Sequence, residues 1–294
     1  MAGAATARKR ASRGFGNLWA VVERFEWEGR SIAWQRAGSG PPVALCHGTP
    51  FSSEVWRPLA STLARDFTVY TWDMPGYGRS SKSPEHRVDF GSQARAFAAL
   101  LEHWALASPD IVAHDFGGAV SLRAHLVLGA CYRSLMLVDV VAIPPSGSPF
   151  FRFVQEHPTV LGELPAYIHE AIVRTYILGA SHCGLSDAQI KPLVHPWLGA
   201  EGQSAFYRQI ADYDETFLED NERRLAALTI PVRVLWGADD AWVPVQTGKR
   251  LAQMISSSSF QLIDGAGHLM QYDAPVALAD EIRAWLNERS ASTA

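Results

Sequence analysis

The sequence IVAHDFGG at residues 111–118 decides how the rest of this chain is interpreted. Its apolar start predicts a buried strand, and the small residues after Asp115 allow a helix to begin at once. A turn this sharp holds the residue at its tip above the sheet, and small neighbours let the strand and the helix approach closely. Ala113 and Gly117 occupy those neighbouring positions. The stretch therefore predicts a strand–turn–helix elbow that presents the carboxylate of Asp115.

On both sides of this elbow, short apolar runs alternate with segments of helical period. Such alternation is typical of βαβ units and of a mostly parallel sheet. The predicted strands are residues 31–36, 42–46, 67–72, 110–113, 134–138, 232–236 and 260–263. The predicted helices are residues 59–63, 92–106, 118–128, 245–255 and 274–287. We therefore expect an α/β fold with helices on both faces of the sheet.

The alternation breaks once, and the break predicts an inserted cap. Residues 143–229 are aromatic, helical in period and punctuated by Pro and Gly, with no convincing buried strand. Helices could start within residues 186–192, with Asp187 as a possible N-cap, and within residues 201–213. We expect residues 17–142 and 230–294 to form the core that carries this cap, and residues 1–16 to form a disordered basic tail.

Composition and charge argue against several classes of partner. The chain has 294 residues, 48% of them hydrophobic and 19% charged, which is enough to bury one large core. A formal net charge of −4 gives no electrostatic reason to expect nucleic acid or an anionic membrane as a partner. No apolar run reaches the roughly 18 residues that a membrane span needs.

The cysteines suggest a reducing compartment. Cys46, Cys131 and Cys183 are far apart in sequence and odd in number, which predicts neither a disulfide framework nor a zinc site. We therefore expect a cytoplasmic protein.

Five segments in a fixed order resemble the α/β-hydrolase family, and specifically its branch of epoxide hydrolases and dehalogenases. The elbow of that branch carries an Asp preceded by a His, as residues 114–115 do here. The other four segments are HGTP at 47–50, DMPGYGRS at 73–80, GADD at 237–240 and GAGH at 265–268. The resemblance covers nearly the whole chain, and it implies the α/β-hydrolase fold with an active site between the sheet and the cap.

The residues predict a two-step hydrolysis. An ionised Asp115 can attack carbon and form a covalent alkyl ester. His268, held by an acid, can then deprotonate a water molecule that attacks the ester carbonyl. Backbone N–H groups of Thr49 and Phe116 could stabilise the resulting oxyanion. This chemistry needs side chains and water, so we expect neither a cofactor nor a metal.

Two residues compete for the role of the acid that orients His268. Asp240 follows the strand at 232–236 at the place that matches the family's acid loop, with Asp239 as a loop-capping neighbour. Asp139 ends the strand at 134–138, where some dehalogenases of this branch keep their acid instead. We predict Asp240, with Asp139 as the alternative.

The resemblance leaves the electrophile open between a halide and an epoxide. Haloalkane dehalogenases of this branch have a Trp after the nucleophile and often an Asn after His-Gly, where this chain has Phe116 and Thr49. Haloacetate dehalogenases have arginines at the elbow, where this chain has Phe116 and Ala119. These differences disfavour a halide leaving group.

Epoxide opening needs a proton donor for the nascent alkoxide, and a neutral tyrosine can provide it. Tyr207 resembles the late-cap tyrosine of epoxide hydrolases, and Tyr167 or Tyr176 in the first cap helix could be its partner. We therefore predict an epoxide hydrolase that forms a diol, with a haloalkane or haloacetate dehalogenase as the alternative.

Two other classes fit the sequence less well. An esterase or lactonase would normally place Ser or Cys at position 115, and a non-catalytic binding protein has no need of Asp115, an acid and His268 together. Aromatic residues of the insertion predict either an apolar pocket for a medium-sized neutral substrate or the core of the cap; they are Phe150, Phe151, Phe153, Trp197 and Phe206.

Overall fold

The computed structural model describes residues 21–291, so the predicted basic tail at residues 1–16 lies outside the described residues. Within that range the chain forms one sheet of eight strands. These are β1 (Glu23–Trp27), β2 (Arg30–Ala37), β3 (Pro42–Cys46), β4 (Thr68–Trp72), β5 (Asp110–His114), β6 (Ser134–Val138), β7 (Val232–Gly237) and β8 (Ser258–Ile263). The α/β fold class is confirmed.

The sheet order is β1-β2-β4-β3-β5-β6-β7-β8. Strands β3 to β8 pair in parallel, whereas β1 and β2 are antiparallel to their neighbours. The register sets Cys46 opposite Ala113 and His114 opposite Val138, so the carboxyl ends of β3, β5 and β6 lie side by side. In open α/β sheets, ligands bind at this edge.

Helices cover both faces of the sheet, which is why every residue of β5 and of β6 is buried. The helices of the core are α1 (Arg57–Leu63), α2 (Phe90–His103), α3 (Phe116–Leu126), α10 (Val245–Met254), α11 (Met270–Asp273) and α12 (Pro275–Ala291). Asp89 caps α2 by accepting a hydrogen bond from the Ser92 N–H at 2.8 Å.

Helices alone fill the described chain between β6 and β7. They are α4 (Pro149–Glu156), α5 (Pro158–Gly162), α6 (Ala166–Leu178), α7 (Asp187–Val194), α8 (Gly199–Ala211) and α9 (Thr216–Arg224), with short 3-10 turns at His195–Trp197 and Leu225–Ala227. Their interior packs aromatic side chains edge to face, as Trp197 and Phe206 do at 5.5 Å. Ser186, and not Asp187, is the N-cap of α7, in a capping box with Gln189.

Strand β1 is absent from the sequence prediction. Three of its five residues are charged, and it lies at the sheet edge with only Phe25 and Trp27 partly covered. A half-solvated edge strand therefore gives a weak apolar signal. None of the described helices is long and apolar enough to cross a membrane.

Candidate active site

Asp115 sits at the tip of the elbow between β5 and α3. Its backbone has φ 50° and ψ −123°, a conformation that residues other than glycine rarely adopt. A Cβ atom on Gly117 would lie 2.6 Å from the carbonyl oxygen of Cys46, so only glycine lets α3 start this close to β3. The carboxylate is 2% exposed and is held at the carboxyl edge of the sheet.

One oxygen of the Asp115 carboxylate accepts a backbone hydrogen bond from the loop after β3. The Thr49 N–H donates to Asp115 Oδ1 at 2.6 Å. Phe116 is the first residue of α3, so its N–H has no acceptor within that helix and follows Asp115 directly in the chain. Of the two predicted oxyanion donors, Thr49 therefore contacts the Asp115 carboxylate through its N–H, and the Phe116 N–H starts the helix next to it.

The other oxygen contacts the imidazole of His268. The His268 Nε2 atom is 3.2 Å from Asp115 Oδ2, and its Nδ1 atom is 2.9 Å from Asp240 Oδ2. Asp240 is itself fixed, because its Oδ1 accepts the backbone N–H groups of Trp242 at 2.8 Å and Val243 at 2.9 Å. The imidazole thus bridges two carboxylates in a fully buried site.

The environment of His268 favours its charged form. Burial by itself lowers the pKa of His268, but the charge of Asp240 and the hydrogen bond that His268 donates to Asp115 outweigh burial and raise it well above the usual range. The preceding residue of the elbow, His114, is neutral, because burial lowers its pKa to about 4. Its Nε2–H donates to the carbonyl oxygen of His268 at 2.8 Å and so fixes the histidine loop.

Asp139 does not hydrogen bond to His268. Its Oδ1 accepts the Gly237 N–H at 2.7 Å, and Oδ2 has no hydrogen-bond partner among residues 21–291. The side chain is fully buried, and burial together with the charge of Asp240 raises the pKa of Asp139 well above its usual range. Asp139 therefore lies near Asp240 and His268 in surroundings that favour its protonated form.

The two tyrosines predicted as proton donors, Tyr207 and Tyr167, are not among the residues that line the cavity above Asp115. Tyr207 points into the cap interior, where its hydroxyl pairs with His169 Nδ1 at 3.1 Å. Tyr167 is in the first turn of α6 and is 73% exposed. Helix packing turns both side chains away, and neither lines the cavity above Asp115.

Tyr176, further along α6, does line that cavity. Its ring stacks on Trp242 at 4.5 Å, and Trp242 in turn packs against His268 at 5.0 Å. Burial and then the negative charge of Asp115 raise the pKa of Tyr176 well above its usual range. The Tyr176 hydroxyl therefore stays protonated in the cavity that Asp115 also lines.

The cavity above Asp115 has a volume of about 370 Å³ and is mainly apolar. Its aromatic lining comes from both core and cap: Phe116, Phe151, Tyr176, Tyr213 and Trp242. Of the other insertion aromatics, Phe150 packs on Tyr176 at 5.2 Å, Trp197 and Phe206 are cap interior, and Phe153 is 49% exposed. Sequence patterns gave no signal for Tyr213 in the cap or for Trp242 in the loop after β7, because an aromatic residue that packs a core and one that lines a cavity look alike in sequence.

The polar residues of the neighbouring loops have structural partners. His47 Nδ1–H donates to the Gly48 carbonyl oxygen, and its Nε2 accepts the Met74 N–H, each at 2.9 Å. Asp73 accepts the N–H groups of Ser53 at 2.7 Å and of Arg79 at 2.8 Å. In the described part of the chain, no group of three His, Cys, Asp or Glu side chains could hold a metal ion.

Comparison with known proteins gives a consistent result. A sequence model described as "Alpha/beta hydrolase family" matches residues 43–281. A solved structure of an alpha/beta hydrolase fold protein from Burkholderia ambifaria is 46% identical, with a TM-score of 0.86, over 88% of this chain and 96% of that chain.

The curated relatives include hydrolases with different named activities. A haloalkane dehalogenase of Bradyrhizobium diazoefficiens is 25% identical over 88% of this chain and 91% of its own length. A pimeloyl-[acyl-carrier protein] methyl ester esterase of Vibrio parahaemolyticus is 27% identical over 81% of this chain and 91% of its own length.

Proposed function

This chain belongs to the alpha/beta hydrolase family, and from that premise we propose that it hydrolyses an epoxide to a diol through a covalent ester on Asp115. The observation that carries this proposal is the surroundings of the Asp115 carboxylate. One oxygen accepts the Thr49 N–H and the other faces His268, which is held by Asp240. An elbow that carries Ser or Cys would instead favour an esterase.

In the first step, Asp115 Oδ2 attacks a ring carbon of the epoxide. The carbon–oxygen bond of the ring breaks, and its electron pair goes to the epoxide oxygen. That oxygen takes the hydroxyl proton of Tyr176, which lines the cavity and is neutral before the reaction. The products of this step are a hydroxyalkyl ester on Asp115 and a tyrosinate.

The first step prepares the base for the second. Alkylation removes the negative charge of Asp115, which is one of the two carboxylates that raise the pKa of His268. The pKa of His268 then falls, because Asp240 is the one carboxylate left to oppose the lowering effect of burial. His268 gives its proton to the Tyr176 tyrosinate and becomes a neutral imidazole that can take a proton from water.

In the second step, the hydroxide formed from that water attacks the carbonyl carbon of the ester. The tetrahedral oxyanion develops on Oδ1, where the Thr49 N–H already points. Its collapse expels the alkoxide, which takes the proton of the new carboxyl group, so the diol and the carboxylate are released and His268 is left protonated as before the reaction. The overall reaction consumes one water molecule and needs no other reactant.

The experiment that tests this function uses two substrates with product identification. We expect diol from styrene oxide and no comparable bromide release from 1-bromobutane. Bromide without diol would favour the second candidate, a haloalkane dehalogenase, which the named Bradyrhizobium relative supports. If neither diol nor bromide forms, the result contradicts alkyl-ester chemistry on these substrates.

Replacing Tyr176 by phenylalanine should slow epoxide opening by about 10²-fold or more, because general-acid assistance contributes that much. The measurement is the rate of diol formation from styrene oxide. Tyr207→Phe is the matched control, since it removes a buried hydroxyl of the cap that lies away from the cavity. Equal losses in the two variants would assign the effect to cap packing instead.

Replacing Asp240 by asparagine should lower kcat by about 10³- to 10⁴-fold, because an amide cannot hold His268 in the correct tautomer and cannot stabilise its charge. Asp139→Asn should leave most of the activity, because Asp139 is already neutral and bonds Gly237. The assignment is wrong if asparagine at 139 abolishes turnover while asparagine at 240 does not.

A further inference from the structure

Gln209, on cap helix α8, is hydrogen bonded to the loop that carries the oxyanion donor. Its Oε1 accepts the hydroxyl of Thr49 at 2.7 Å and the hydroxyl of Tyr77 at 2.9 Å. The side chain is 2% exposed, and Thr49 itself donates its backbone N–H to Asp115. One cap residue is therefore two hydrogen bonds away from the nucleophile.

A second contact ties the cap to the same loop. The indole N–H of Trp197 donates to the carbonyl oxygen of Pro50 at 2.6 Å, and Pro50 follows Thr49 in the chain. The backbone of Trp197 is fixed in turn, because its carbonyl oxygen pairs with His169 Nε2 at 2.8 Å. Two neighbouring residues of the core loop are thus held by side chains of the cap.

We infer that Gln209 is a positioning residue for hydrolysis of the ester, because it fixes Thr49 so that the Thr49 N–H stays aimed at Asp115 Oδ1. This inference rests on the proposed function and assigns to the cap a part in the second step. Thr49 has the backbone donor, and Gln209 acts only through the Thr49 side chain.

The two steps should depend on Gln209 to different extents. Before alkylation, the Thr49 N–H stabilises the negative charge of the Asp115 carboxylate, and that charge is lost as the first step proceeds. A weaker hydrogen bond from Thr49 to Asp115 therefore does not slow the attack. In the second step negative charge grows on the same oxygen, so a displaced donor raises the barrier. Loss of Gln209 should therefore slow ester hydrolysis and not ester formation.

The test is a single-turnover experiment on Gln209→Met with styrene oxide as the probe. Methionine keeps the length of the side chain but cannot accept the two hydroxyl hydrogen bonds. Rapid quenching and mass spectrometry of the intact protein give the rates at which the Asp115 adduct forms and decays. We expect unchanged formation and a decay about 10- to 100-fold slower, since loss of a whole oxyanion donor costs about 10²- to 10³-fold.

Gln203→Met is the matched control. Gln203 is buried on the same helix, but its Nε2 donates only to the cap carbonyl oxygens of Gly162 at 3.0 Å and Leu164 at 2.8 Å. We expect wild-type rates for both steps in this variant. A similar slow decay in Gln203→Met would overturn the inference in favour of general loosening of the cap.

Thr49→Val gives a second route to the same answer if Gln209→Met folds poorly. Valine removes the hydroxyl that Gln209 binds and keeps the backbone N–H, so it should also slow decay alone. The double variant should be no slower than the slower single variant, because the two residues act through one bond. Additive losses, or equal slowing of formation and decay, would overturn the inference.

The outcomes also separate this inference from the proposed function. If wild-type protein forms no Asp115 adduct at any time, the proposed function fails and the inference fails with it. If the wild-type adduct forms and decays but Gln209→Met decays at the same rate, only the inference is wrong.

Discussion

Replacing Asp115 by alanine is expected to reduce turnover by about 10⁴-fold or more, the largest loss of any single variant, because it removes the atom that bonds to the substrate. The buried oxyanion donor and His268 remain, but water must then attack the substrate without a covalent intermediate. The measurement is kcat for diol formation, together with mass spectrometry that should detect no adduct.

A control on the same variant does not need a substrate. Removing Asp115 takes away one of the two carboxylates next to His268, so the pKa of His268 should fall relative to the wild-type protein. NMR titration of the His268 imidazole measures this change and shows at the same time that the site has folded. Retained turnover in a folded Asp115→Ala protein would mean that water attacks the substrate directly.

Replacing His268 by glutamine should have the second large effect, and it should stop the reaction halfway. Attack by Asp115 needs no base, so the ester still forms, whereas its hydrolysis loses the group that deprotonates water. Hydrolysis should slow by about 10⁴-fold or more, and the ester should accumulate. Mass spectrometry of peptides should place the added mass of the substrate on Asp115.

An isotope experiment on the wild-type protein gives the independent check. In heavy-oxygen water under single-turnover conditions, the solvent oxygen attacks the ester carbonyl and therefore enters the carboxylate of Asp115. One oxygen of the diol is the epoxide oxygen, and the newly added one comes from the Asp115 carboxylate in that turnover. Solvent oxygen found in the diol and none at Asp115, or an unreacted His268→Gln protein, would contradict the two-step mechanism.

The sequence was sufficient for the fold class and for the positions of the main chemical groups. The elbow at residues 111–118 is local: its strand, its turn and its small residues lie within eight positions, so the chain itself encodes the exposure of Asp115. His268 and Asp240 were predictable for a related reason. Each follows a strand, and the carboxyl ends of parallel strands meet at one edge.

The tertiary structure decided the questions that depend on side-chain direction. Both Asp139 and Asp240 follow strands at that edge. Their hydrogen bonds distinguish them, because Asp139 accepts the Gly237 N–H whereas Asp240 contacts His268. In the cap, helical period predicts that tyrosines occur on helices, but the packing of one helix against another decides which hydroxyl reaches the cavity. Tyr176 reaches it and Tyr207 does not.

The contact of Gln209 with Thr49 shows the same limit most clearly, because it joins residues 160 positions apart. No local pattern marks a glutamine that will meet a distant loop, whereas the elbow is specified by adjacent residues. The sequence by itself therefore determined where Asp115 and His268 lie and the sheet that brings them together. The tertiary structure decided which carboxylate contacts His268, which tyrosine lines the cavity and which cap residue contacts Thr49, because those contacts exist only after distant segments meet.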